Sequence, residues 1–134
     1  MAISPIPKYG HRLLVRPDNT VEIDTFEVDL PSSQQVLIET DSTLISAGTE
    51  LGTQEQERQQ PFTPGCSNAG RILALGDGIE GYQVGDRVLS LGHHASHVTV
   101  SAAPQSLVKL PAGASFAAGT FGVLGSVSIH GVRK

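Results

Sequence analysis

The sequence predicts a mainly β fold, a compact barrel or sandwich, followed by a short helical segment. Two observations carry the β part. Short apolar runs accompany turn clusters about ten residues apart, as at Gly76-Asp77-Gly78 and Gly85-Asp86. Elsewhere, as in Val21-Glu22-Ile23-Asp24, apolar and polar residues alternate with the period of two that belongs to strands. The helical part rests on residues 115–134, rich in Ala, Gly and other small residues, with Phe116, Phe121, Leu124 and Ile129 as larger apolar points.

Taken in order, residues 1–10 hold two prolines and a glycine and read as an irregular arm. Residues 12–16 form a strand stopped by the turn Pro17-Asp18-Asn19. In Val21-Glu22-Ile23-Asp24 and again in Phe26-Glu27-Val28-Asp29-Leu30, the alternation predicts apolar residues on a buried face and acidic residues on a solvated one. Pro31-Ser32-Ser33 turns the chain into a strand over residues 35–40. Residues 53–60 are wholly polar; they suit one or two helical turns, with Thr53 capping and Gln56 answering it, on an exposed excursion without an apolar face. A strand through Ile72 and Ala74 ends at Gly76-Asp77-Gly78, and Gly85-Asp86 launches another. Residues 95–100 and 106–110 are further short strands, and Pro111-Ala112-Gly113 closes the β region. Helix is predicted over at least residues 115–118 and 124–133, although the glycines at 119, 122 and 125 weaken it by ~1 kcal/mol each.

Composition limits the function. The 134 residues, 39% hydrophobic and 16% charged, suit one domain around a single core. Apolar runs fall short of the ~20 residues of a membrane span, and the start shows no secretory signal. One cysteine precludes an internal disulfide and points to a reducing, cytoplasmic setting. A formal charge of -4, nine Lys and Arg, and 4% aromatics without Trp argue against nucleic-acid partners.

The run from Pro64-Gly65-Cys66 through Gly70 and the strand to Gly76-Asp77-Gly78, continuing to Val84-Gly85-Asp86-Arg87-Val88, resembles the medium-chain dehydrogenase/reductase superfamily. The likeness is to that superfamily's N-terminal GroES-like substrate domain and covers about residues 35–134. It implies a partly open β-barrel with short helices (residues 1–113), then a connecting helical segment (residues 114–134) leading toward a Rossmann domain. No Gly-x-Gly-x-x-Gly opens a helix in this sequence, so the nucleotide-binding domain is expected to be absent from it. The sequence then reads as a piece of a longer enzyme or a natural truncation.

In zinc-dependent members, Gly-x-Cys-Gly-Thr-Asp-x-His supplies a thiolate, a hydroxyl and a relay histidine, and Gly-His-Glu supplies an imidazole. This chain has Ala47 at the cysteine, keeps Gly48 and Thr49, has Glu50 for the aspartate and Gly52 for the histidine. Cys66 and Ser67 replace the His-Glu pair, and Val123 or a neighbour falls near the third ligand. Catalytic zinc takes three protein ligands of N, S or O type, and only Cys66 remains as a donor. The resemblance therefore implies a zinc-independent branch with no metal site. NAD(P)H would serve the intact enzyme, and none would be bound by this chain alone.

Thr49 is the leading catalytic candidate, because a hydroxyl both donates and accepts and so can bond a substrate oxygen and pass a proton. The alternative is an ordinary cap on the turn after Gly48. Gly48 would let the backbone approach closely, and Gly48 and Thr49 would touch the nicotinamide. Glu50 would orient neighbouring groups or place negative charge at a helix start. Cys66 is either a reactive thiol, with Arg71 the local cation in sequence, or a small buried apolar residue. His93, His94 and His97 lack a nearby carboxylate in sequence to complete a metal set; a loop at the cleft edge, with an imidazole touching substrate, fits better.

The predicted function is the substrate-binding half of a zinc-independent NAD(P)-dependent oxidoreductase, with Gly48, Glu50, Cys66, His94 and His97 lining the cleft. Its small-molecule substrate would be a carbonyl, an alcohol or an activated alkene. Its partners would be the missing nucleotide-binding domain and, in a homo-oligomer, a second copy. The rival is a stand-alone GroES-like binding or scaffold module; a co-chaperonin is a weaker third.

Overall fold

The computed structural model describes residues 4–56 and 59–133. Among these the order is β1 (Tyr9–Val15), β2 (Val21–Glu27), β3 (Gln35–Thr43), α1 (Ala47–Gln56), β4 (Asn68–Leu75), β5 (Arg87–Ser90), β6 (His97–Ser101), β7 (Leu107–Lys109), α2 (Phe116–Gly119) and α3 (Phe121–Val132). Strands β6-β3-β4-β5-β7 form one antiparallel sheet, and β1-β2 form a separate ribbon. The ribbon leans on the larger sheet through isolated bridges Arg12↔Ala95 and Val15↔Phe62. Its Leu13 N–H donates to His94 O at 2.9 Å, and Ser96 N–H donates to His11 O at 2.7 Å. The result is the partly open barrel that the sequence predicts.

Val36, Ile38, Ile72, Val88, Val98 and Leu107 make the core, each at most 7% exposed. They come from all five strands of the larger sheet. The register of β3 on β4 shifts between Leu37 and Ile38 and again between Thr40 and Ser42. Beside the kink sits Gly70, where a Cβ would lie 2.0 Å from Glu39 O, so the two backbones approach only because no side chain intervenes.

Two expectations change and a third is extended. In β2 Glu22 and Asp24 are more sheltered than their apolar neighbours: Asp24 meets Arg12 at 2.8 Å and Glu22 meets Arg16 at 2.5 Å, while Val21 and Ile23 are 56% and 74% exposed. The apolar positions change parity between Ile23 and Phe26, so one strand cannot bury both sets, and Phe26 is the residue turned inward. The helix expected to begin at Thr53 begins instead at Ala47 and takes in the Gly48-Thr49-Glu50 segment. The C-terminal helices extend across the glycines: Ser115 caps α2 through Ala118 N–H, and α3 runs unbroken from Phe121. No residue of α3 is buried, and Phe121, Val127, Ile129 and Val132 are 53–87% exposed.

Candidate active site

The site grows from Ser46, which precedes α1. Its N–H donates to Glu50 Oε1 at 2.8 Å, its hydroxyl donates to Thr49 Oγ1 at 3.1 Å, and its carbonyl accepts from Glu50 N–H at 2.9 Å. The first helical turn leaves backbone N–H groups without helical acceptors, and a carboxylate there satisfies one of them and suits the positive end of the helix dipole. Gly48 and Thr49 stand on the exposed side of this turn, and nothing lies within 4 Å of where a Gly48 Cβ would be.

Glu50 Oε1 also accepts from His94 Nε2 at 3.0 Å, with the two side chains 14% and 4% exposed. His94 is fixed by its own backbone, since its N–H donates to Pro64 O at 2.9 Å and its carbonyl accepts from Leu13 N–H. Gly65 permits that approach: its φ is +106°, and a Cβ there would lie 2.7 Å from His94 N. His93 Nδ1 bonds Gly65 O at 2.9 Å, and fully buried Asn68 donates to His93 O at 3.2 Å and to Thr40 Oγ1 at 2.8 Å. Ser67 Oγ donates to Thr120 O at 2.6 Å, joining this loop to the start of α3.

Cys66 is half-buried, and burial together with the Glu50 charge pushes its thiol up from the ordinary value, which keeps it protonated near neutral pH. Arg71, the cation near it in sequence, is engaged elsewhere: it donates to Gly85 O at 3.2 Å and stacks on the Phe116 ring, 5.4 Å from its centroid. The reactive-thiol alternative thus lacks its activating cation.

Glu50, Cys66 and His94 form one neighbourhood, with Thr49 attached through Ser46. His97 belongs to another. It sits opposite Glu39 in the β6–β3 ladder and meets Ser96 Oγ at 3.0 Å; burial depresses its pKa while Glu39 opposes the shift. Sequence reasoning missed Ser46, Asn68 and Thr40. Ser46 had a local signal, a serine four residues before an acid at a helix start; Asn68 and Thr40 meet only through the β3–β4 pairing.

Two cavities flank this region. One of 370 Å³ is lined by His94, Ala95, Ser96, Thr40, Ile23 and Leu13, among others; one of 540 Å³ lies over Glu39, Asp41, Arg71, Asp86 and Phe116. Among the described residues no three of His, Cys, Asp and Glu come together in a group able to hold a metal ion.

The barrel and its C-terminal helices define the class, and the chain belongs to the alcohol dehydrogenase GroES-like domain family, which it matches over residues 32–129. Among individual relatives it is similar to the synaptic vesicle membrane protein VAT-1 homolog-like of Mus musculus, 33% identical over 66 residues, which is 48% of this chain and 16% of that protein. In structure it is similar to the Escherichia coli quinone oxidoreductase complexed with NADPH, at a TM-score of 0.77 and 18% identity over 92% of this chain and 40% of that one. It is also similar to the human synaptic vesicle membrane protein VAT-1 homolog-like protein, at 0.70 and 20% over 82% of this chain and 38% of that one. At these identities the structural likeness speaks for the fold. The chain spans well under half the length of these proteins.

Proposed function

We propose that the chain is the substrate-binding half of a zinc-independent NAD(P)-dependent oxidoreductase. In this reading residues 1–113 are the substrate domain, and residues 114–134 lead to a nucleotide-binding domain. The observation that carries it is the first turn of α1 in a GroES-like domain: Gly48 and Thr49 are exposed there above a buried carboxylate–imidazole pair, with no zinc-type ligand set among the described residues. The donors do not suit zinc, because Ala47 stands where the family's thiolate belongs, Cys66 is held protonated, and Glu50 and His94 are bonded to each other.

NAD(P)H, when bound in the intact enzyme, supplies the hydride. The chain's own residues would hold the substrate and manage the proton. Thr49, exposed and accepting from Ser46 through Oγ1, would give its hydroxyl proton in a hydrogen bond to a substrate carbonyl oxygen as negative charge develops there. Gly48 offers backbone without a side chain to obstruct the nicotinamide.

A protein carrying this chain together with a nucleotide-binding domain should oxidise NADPH or NADH in the presence of quinones or enones. Thr49→Val should lower kcat about 10²-fold while leaving the fold intact. The chain by itself should show no specific NADH or NADPH binding by calorimetry. Absence of turnover with every carbonyl, alcohol and activated alkene tried would overturn the reading. The exposed apolar residues of α3 favour a second reading, a binding module that docks on a separate partner; persistent inactivity together with a stable heteromeric complex would select it.

A further inference from the structure

His94 is deeper in the fold than a residue at the edge of a cleft. Its side chain is 4% exposed, and its Nε2 faces Glu50 Oε1 at 3.0 Å. Its Nδ1 is buried and has no hydrogen-bond partner among the described residues. The carboxylate is an acceptor, so in the neutral ring the proton belongs on Nε2 and Nδ1 carries the lone pair. Glu50 in turn accepts from Ser46 N–H, and Ser46 carries the hydroxyl bonded to Thr49. Three chain segments meet here, namely the turn that opens α1, the loop of Pro64 and Gly65, and the loop before β6.

We infer that His94 is a positioning residue that holds Thr49 in place. It acts through Glu50, whose shared oxygen joins the imidazole to the Ser46 backbone. This deepens the proposed function and rests on it for the meaning of Thr49. The linkage itself is a property of the folded chain, present whether or not a reaction occurs. Glu50 on α1 is the ionisable group bonded to the ring; His11 and Arg12 on β1 and Asp41 on β3 line the same cavity, Cys66 lies within reach of the Glu50 charge, and His93 precedes the ring in the loop.

The test uses the 134-residue chain. Ring ¹⁵N shifts of His94 should show the proton on Nε2; a proton on Nδ1 would overturn the inference. His94→Phe keeps a ring and removes the donor, and amide exchange at Ser46 and Glu50 should quicken about tenfold while Ile72 N–H, bonded to Asp86 O, keeps its protection. His94→Gln restores a donor near the position of Nε2 and should return Ser46 and Glu50 close to the parent rate. Unchanged exchange at both amides, an equal rise at Ile72, or no rescue by glutamine would each sink the idea. In the longer protein, His94→Phe should lower kcat with little change in KM, and His94→Gln should recover it. If that protein has no hydride-transfer activity, the proposed function fails while the exchange and ¹⁵N results still decide the linkage.

Discussion

A single carboxylate explains several properties of the site. Glu50 receives Ser46 N–H and His94 Nε2 on one oxygen, and after burial its charge is the further cause that raises the Cys66 thiol. Cys66 is the sole cysteine, so alkylation reports on it alone. Glu50→Gln should speed its reaction with iodoacetamide severalfold near neutral pH, because removing the negative charge lowers the thiol pKa and raises the thiolate fraction; an unchanged rate would show that burial alone governs the thiol. His97 gives a second test. Its folded pKa lies below the ordinary 6.5, so the unfolded chain binds the proton more readily and stability falls as pH drops through about 6.5 toward the depressed value. Urea midpoints should fall across that window and flatten in His97→Asn, which keeps an acceptor for the Ser96 hydroxyl. Thr49, Glu50 and Cys66 were legible as candidates because motif positions mark them. Their partners were not: the spacing from Glu50 to His94 carries no local period, and only the closing of β1 and the residue 64–66 loop around His94 brings them together.

At the level of elements, the larger sheet was legible because short apolar runs such as Val36-Leu37-Ile38 and Ile72-Leu73-Ala74-Leu75 lie between turn residues. The faces of β2 came out otherwise than expected for a different reason. Val21 and Ile23 share one parity, Phe26 and Val28 the other, and the strand buries the aromatic ring and pairs its acids with Arg12 and Arg16. Two isoleucines should therefore respond differently. Ile72→Ala should cost about 2–5 kcal/mol in urea unfolding, since Ile72 is wholly buried in the core. Ile23→Ser should stay within about 0.5 kcal/mol, since Ile23 is 74% exposed. A large loss at Ile23 would restore the original assignment of faces. The start of α1 was missed because the polar run from Thr53 drew attention from Ser46, whose bonds to Thr49 and Glu50 set the first turn.

On the scale of the molecule, α3 presents Phe121, Val127, Ile129 and Val132 outward and buries none of its residues. Apolar surface of that kind associates in water. The chain should self-associate with rising concentration in sedimentation velocity, and Val127→Ser with Val132→Ser should shift it toward the monomer; equal behaviour of parent and variant would clear α3 of that role. The fold class was readable from turn spacing and alternation, whereas the division into two sheets was not, because it depends on which strand edges meet. That division reaches the site. The family match begins at residue 32, after the β1–β2 ribbon, yet His11, Arg12 and Leu13 of that ribbon wall the cavity beside His94. Backbone hydrogen bonds from His11, Leu13 and Val15 fasten the ribbon to the residues around His94 and Phe62. Reshaping that hairpin would therefore alter the wall beside the imidazole without substituting Ser46, Thr49 or Glu50.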